Sequence, residues 1–385
     1  MHKSLSATGI EIRGARNRNE IKMAYELASS IFGSNYKESR RRKNHYLRYD
    51  KIKDPGEVII AMDNGRIIGT LRVVERRNMF LGSLLKTAGI TNVCVDPDYQ
   101  GKGVGRGLVE RSIELMCERK YPISLVVARR AVDGFYAKYG FVGTGIFCDL
   151  SISNLAAVKK DLIEGNNYHR CFDKRFVKEY ERMYNSTYAK IPLSFYRSGD
   201  WWRRFDQKNK HRIKKKDFVN IVDAGKLIGY FIVQNKKIVE AASYLGSIAR
   251  FSKALIGCFV QAGIFDPDIT ISPVHPCHKY IKDNFSHTFS ARRVFNGGHM
   301  VRIVISSKVE DAVLKFIRNS CHEFTVNQRS FATKRIKALF RSSKKMVNHD
   351  LLSKIVILLS TEASNPVLEK VKNNMLHTWG ALDEF

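Results

Sequence analysis

The feature that most constrains this chain is a strand that runs into alternating glycines and then directly into a helix: Asn92-Val93-Cys94-Val95-Asp96-Pro97-Asp98-Tyr99-Gln100-Gly101-Lys102-Gly103-Val104-Gly105-Arg106-Gly107. Residues 91–95 read as a strand that Asp96-Pro97-Asp98 stops, and Val104, Leu108, Ile113 and Met116 share one face of a helix over 104–119. Glycines let a backbone approach a ligand closely and adopt conformations that other residues resist. Their N–H groups, aimed out of a helix N-terminus at its positive dipole end, form a cradle for a pyrophosphate. Lys102 and Arg106 add positive charge beside it. The spacing excludes two phosphate loops. There is no G-x-x-x-x-G-K-[ST], and after Gly103-x-Gly105 the position a dinucleotide fingerprint gives to Gly or Ala is Leu108. A phosphate site of another type remains.

The surrounding order is that of an α/β (α+β) layer. Residues 10–13 read as a strand and 19–31 as a helix with Ile21, Ala24, Leu27, Ala28 and Ile31 on one face. Residues 57–62 and 66–74 are β-branched and apolar, and Asp63-Asn64-Gly65 between them signals a hairpin. Residues 123–128 return to strand. With 385 residues the chain exceeds one ordinary core. Its middle repeats part of the grammar, with strands over 218–222, 227–233 and 237–241 and a helix over 243–262, but without the glycine loop. From about residue 300 it changes again, to a strand over 301–306 and a helix over 309–318. The expected division is 1–150, 151–298 and 299–385.

A second motif follows the first. Ala131-Val132-Asp133-Gly134-Phe135-Tyr136-Ala137-Lys138-Tyr139-Gly140-Phe141 lies some 30 residues downstream of the glycine loop. Together the two motifs resemble the GNAT superfamily of acyl-CoA N-acyltransferases. The Q/R-x-x-G-x-G/A signature is met by Gln100, Gly103 and Gly105 after Val95-x-Pro97-x-Tyr99, and the later stretch is similar to the A-x-x-F-Y-x-K-x-G-F segment. The resemblance implies that Gln100, Gly101, Lys102, Gly103, Val104, Gly105 and Arg106 hold the pyrophosphate of acetyl-CoA. It implies that backbone groups of Val93, Cys94 and Val95 align the pantetheine arm, and that Tyr136 protonates the departing thiolate. The implied reaction is direct transfer of an acyl group to a primary amine, on a small molecule or a peptide.

The strand before the loop carries no carboxylate to act as base. As a whole the chain resembles Eis-type (enhanced intracellular survival) acetyltransferases: a catalytic GNAT unit, a degenerate GNAT-like unit and a sterol-carrier-protein-like tail. The supporting residues are Arg197, Ser198, Trp201 and Trp202 and the ending Leu382-Asp383-Glu384-Phe385. The resemblance implies that the α-carboxylate of Phe385 serves as base. Trp201 and Trp202 pack the second unit or line the acceptor pocket, and Glu240 reads as a local ion-pair partner.

Charge is the unusual entry in the composition. There are 66 Lys+Arg against 37 Asp+Glu, a net +29, spread as +10, +13 and +6 over the three segments. Such an excess draws phosphate-bearing or acidic partners but says nothing about fold. The densest run, from Arg203 to Lys216, offers a surface for nucleic acid or an acidic partner. It keeps open an alternative, a binding factor on a GNAT scaffold whose CoA site is regulatory or vestigial. It also departs from an enzyme selecting polycationic antibiotics, which needs an acidic cleft. His275-Pro276-Cys277-His278 reads as a turn before a helix, and no metal site is expected. Seven scattered cysteines without a C-x-x-C pair, no signal-peptide pattern and no membrane-spanning run lead to the expectation of a cytoplasmic protein without membrane insertion, in which homo-oligomers are allowed.

Overall fold

The computed structural model describes residues 4–5, 9–49, 52–143, 145–152, 167–169, 171–189, 191, 193–205, 217–234, 237–261, 268–269, 275–285, 287–294, 298–319, 325–343 and 367. Their elements are a mixed α/β set. Strands β1 (Ser4–Leu5) and β2 (Ile10–Gly14) precede helices α1 (Arg18–Phe32) and α2 (Tyr36–Tyr49). Then come β3 (Val58–Asp63), β4 (Arg66–Phe80), β5 (Ser83–Val95), α3 (Val104–Glu118), β6 (Ile123–Ala128), α4 (Asp133–Ala137) and β7 (Val142–Gly143). The first sheet runs β1-β2-β3-β4-β5-β6-β15-β7, where β15 is Gly298–Ile303 from the last part of the chain.

The second sheet uses β8 (Gly145–Ile152), β9 (Asn167–His169), β10 (Phe218–Asp223), β11 (Lys226–Gln234), β12 (Lys237–Ser243), β13 (Asp268–Ile269) and β14 (His287–Val294), in the order β14-β8-β13-β12-β11-β10-β9. The two sheets share one pairing scheme. Antiparallel β2 to β5 meet β6 in parallel, and antiparallel β9 to β12 meet β13 in parallel. After the parallel pair, each sheet continues with a strand from the other half of the chain. In the first this is β15, between β6 and β7; in the second it is β8, between β13 and β14. The expected divisions at 150 and 298 fall within β8 and at the start of β15.

Register assigns the faces. Ile59, Ala61, Ile90, Val126 and Met300 point to one side and form a core with Val104, Leu108, Met116, Tyr136 and Phe141 of the α3 and α4 region. Val58 and Ile60 point to the other side, under α1. On that same side Leu125, Ile123, Val301 and Ile303 pack against α9 (Ser306–Asn319) and α10 (Val326–Ser343). A glycine sits where a helix crosses each sheet. A Cβ on Gly69 would lie 3.0 Å from Val104 and 3.1 Å from Leu108 of α3, and one on Gly229 would collide with Phe251 of α7 (Ile248–Gln261).

The expected helix over 243–262 begins only at Ile248, because Ser243 still belongs to β12 and residues 245–247 form a 3-10 turn. The strands expected over 66–74 and 91–95 extend into one long hairpin, β4–β5. It closes at Leu81 and Gly82, with φ of 51° and 70°. The Asn64–Gly65 turn, at φ of 47° and 79°, is the one signalled by Asp63-Asn64-Gly65.

A buried ion pair holds the second sheet. Arg197 reaches Glu240 on β12 through two hydrogen bonds of 2.7 and 2.8 Å, with both side chains fully buried. Tyr230 donates to the same carboxylate at 2.8 Å, and the guanidinium lies 3.8 Å from the Tyr184 ring centroid and 4.1 Å from that of Trp201. Trp202, on α6 (Gly199–Arg203), is fully buried beside α5 (Val177–Tyr188), so this tryptophan packs the second sheet. Removing one member of such a pair strands the other charge. Glu240→Gln is therefore expected to lower unfolding free energy by about 3–5 kcal/mol in urea titration; an unchanged midpoint would mean the pair contributes no stability.

Candidate functional site

The candidate site is built where β5 leaves β6. The parallel ladder pairs Ala88 with Ser124, Gly89 with Leu125 and Ile90 with Val126, and ends there, although β5 continues to Val95 and β6 to Ala128. On its other edge β5 stays paired to β4 up to Val95 and Gly69. Between Arg72–Thr91 and Thr70–Cys94 the register slips, so that Asn92 and Val93 together oppose Leu71. Asn92 carries this bulge at φ 55°, a left-handed conformation that Asn tolerates better than most residues. Beyond Ile90 the β6-side edge of β5, residues 93–95 included, has no strand partner among the described residues. Cys94 is buried, which pushes its thiol up to about 12, while Val93 and Val95 are half-buried.

The chain then makes a 3-10 turn over Pro97–Tyr99, capped by the Asp96 carboxylate, which accepts the Asp98 N–H at 3.1 Å. Arg66 pins that carboxylate from β4 at 2.6 Å, and the Tyr99 hydroxyl donates to Asp63 at 2.7 Å. Gln100 turns back to Val95, its side-chain amide 3.4 Å from the carbonyl. Gly101 and Gly103 take φ of 77° and 83°, which L side chains resist. Gly103 is the N-cap of α3 and has no side chain to cap with. The first helical bond is Gly107 N–H to Gly103 carbonyl at 3.0 Å, so the amides of Val104, Gly105 and Arg106 precede the ladder and point out of a 15-residue helix. Such a row of outward-pointing amides has the chemistry that a pyrophosphate would fit.

The two flanking cations are differently placed. The Lys102 ammonium lies 4.8 Å over the Tyr99 ring, beside the loop. Arg106 instead reaches along the helix to Glu110 at 2.9 Å on an exposed face. Gly105 has Phe135 as its neighbour, 3.6 Å from where a Cβ would be, which brings α4 against the start of α3. Tyr136 on α4 is 6% exposed, its ring edge-on to Phe135 and Phe141. Burial alone pushes its phenol up to about 12. Just past β6, Arg129 lies 5.9 Å from the ring centroid of Phe32, the last residue of α1.

Other expected positions lie elsewhere. Phe385 and residues 206–216 of the basic run are outside the described residues. Of that run's beginning, Arg203 pairs with Asp200 at 2.6 Å and Arg204 donates to the Asp200 carbonyl. His275 caps α8 (Pro276–Asn284): its Nδ1 accepts the Cys277 N–H at 3.1 Å and its Nε2 meets the Ala241 carbonyl at 2.8 Å. Both ring nitrogens are thus engaged. Asn92 was not legible as a site residue: its only signal is an asparagine inside a β-branched strand.

Because Gly103 holds a conformation that costs a β-branched residue about 1–3 kcal/mol, Gly103→Val is expected to weaken CoA binding by about tenfold or more in isothermal titration. Unchanged affinity would remove the loop from the ligand site.

Residues 11–143 match the family model described as acetyltransferase (GNAT) domain. Solved structures extend the likeness beyond that segment. A GCN5-related N-acetyltransferase from Kribbella flavida aligns at 13% identity and TM-score 0.55 over 78% of this chain and 72% of its own. One from Anabaena variabilis aligns at 15% identity and TM-score 0.58 over 79% and 75%. Eis1 from Mycobacterium abscessus aligns at 15% identity and TM-score 0.53 over 79% and 75%. At such identities the likeness is one of fold. The parted strands, the glycine loop and the helix that follows it are the core of a GNAT-type mixed sheet, the fold of residues 11–143.

Proposed function

We propose that this protein is an acyl-CoA-dependent N-acyltransferase that uses acetyl-CoA and transfers the acyl group directly to a primary amine on a small molecule or peptide. The observation that carries the reading is the parting of β5 from β6 beside a glycine-capped helix N-terminus, with a buried tyrosine alongside. Acetyl-CoA supplies the activated acyl group. The amides between Gly101 and Arg106, with Lys102, would hold its pyrophosphate, and the open edge of Val93 to Val95 would bind the extended arm and polarise the carbonyl. Holding amine and thioester in one wedge makes attack effectively unimolecular.

Tyr136 is the proton donor in this reading. A phenol near 12 stays protonated through the neutral and mildly alkaline range. Burial makes it a weaker acid than an exposed phenol, so its proton moves to the departing thiolate only as the C–S bond breaks. Tyr136→Phe is expected to lower turnover about 10²-fold while leaving acetyl-CoA affinity near normal, read as free CoA released with a panel of amines, polyamines, peptides and aminoglycosides. In the parent protein, the loss of activity caused by ionisation of this phenol falls near 12 rather than the ordinary 10, because the buried site favours its neutral form. Near-normal turnover of the Phe variant would remove Tyr136 from the mechanism.

β5 carries no carboxylate, so the base comes from elsewhere. The resemblance to Eis-type enzymes nominates the α-carboxylate of Phe385, acting directly or through water. The second sheet, with the same pairing scheme but without a glycine loop, supports its reading as a second, degenerate GNAT-like unit. Exposed Cys117 and Cys171 thiols suit a reducing, cytoplasmic setting. A few residues appended after Phe385 are expected to abolish transfer while sparing acetyl-CoA binding; an active extended enzyme would argue against the terminal base.

A further inference from the structure

We infer that Arg302, on the strand that the last part of the chain lends to the first sheet, is a positioning residue for Tyr136. This rests on the reading of Tyr136 as the proton donor. The helix that carries Tyr136 has only five residues, Asp133–Ala137, and its N-cap, Val132, makes no side-chain cap. A helix this short has no stability of its own, because the cost of fixing its first turn is not recovered by propagation. Its placement depends on what holds it from outside.

The aromatic rings of Phe135 and Phe141 hold one side. The polar hold comes from Arg302. In β15 this residue sits opposite Ser124 of β6, and Ser124 pairs with Ala88, so Arg302 faces the side of the sheet that carries α3 and α4. Its guanidinium donates to the backbone carbonyl of Tyr139, and its side chain is buried. Among the described residues no carboxylate pairs with it, and its Nε finds no acceptor. The charge is therefore directed at one peptide group.

That peptide group lies next to the donor. Tyr139 N–H donates to the Tyr136 carbonyl at 3.0 Å, Phe141 N–H approaches the same carbonyl at 3.3 Å, and Gly140 closes the turn at φ 76°. The Tyr139 ring also meets Phe135 at 5.3 Å. Fixing the Tyr139 carbonyl thus fixes the turn that ends α4, and with it the direction of the Tyr136 side chain. A residue 163 positions from Tyr139 sets the geometry of the proposed acid. Lys could reach the carbonyl with one donor but without the rigid fork.

The test uses the full-length protein, with acetyl-CoA turnover and amide hydrogen exchange read in parallel. Arg302→Gln is expected to lower turnover about tenfold, to change acetyl-CoA affinity little, and to speed exchange of the 136–141 amides selectively. Arg302→Lys should recover part of both effects. In a Tyr136→Phe background, Arg302→Gln should cost no further turnover, because a residue acting through Tyr136 has nothing left to position. An equal loss in both backgrounds, or unaltered exchange at 136–141 in either folded variant, would overturn the inference. If Tyr136→Phe itself leaves turnover intact, the proton-donor reading falls, and the exchange data still report whether Arg302 holds the turn.

Discussion

The structure depends on one constraint: β5 must stay bonded to β4 along its whole length while letting go of β6 after Ile90. Unpaired strand edges demand hydrogen-bond partners. The bulge at Asn92 concentrates that demand in three residues, 93 to 95, at the bottom of a wedge. The chain then needs to reverse and start a helix within a few residues, and two glycines in left-handed conformations make the reversal. One geometric choice therefore yields both an open backbone edge and an array of free helix amides. An extended ligand with amides at one end and phosphates at the other satisfies both.

The second organising element is the exchange of strands. The first sheet is continuous only because β15 enters between β6 and β7, and the second only because β8 enters between β13 and β14. A third tie runs through the stretch after α5: Asn78 on β4 donates to the Leu193 carbonyl at 2.6 Å and accepts from Thr87, all in buried surroundings. Met79 N–H donates to the Ser194 carbonyl at 2.8 Å, and the Met79 carbonyl accepts from Leu193 N–H at 2.6 Å. The glycine loop and Tyr136 lie within residues 11–143, yet the sheet that carries them is completed by β15, from the last third of the chain.

Much of the candidate site was legible because it is local. Gly101, Gly103 and the Asn64–Gly65 turn declare themselves through backbone conformations that few other residues adopt, and Tyr136 stands in a contiguous motif. The exchange of β8 and β15 was not legible, since a strand's own residues do not say which sheet will accept them; the alternation in 298–303 fits either. The long β4–β5 hairpin was hidden for a different reason. Its outer half carries Arg76, Arg77 and Asn78, and it turns on Leu81 at positive φ, a choice that propensity argues against. Tertiary packing overrides the preference, because Leu81 is buried against Ile123 and Val301. Arg302 was silent for the same reason as its strand. The net +29 is spread over the chain, and α10 alone carries five basic and no acidic residues.

The central claim is that the wedge between β5 and β6 and the α3 N-terminus form one acyl-CoA site. It is tested most directly by amide hydrogen exchange of the full-length protein with and without CoA. Slowed exchange is expected at 93–95 and 101–106 together, with segments of the second sheet unaffected. Saturable CoA binding that protects neither stretch, or that protects the second sheet instead, would contradict it.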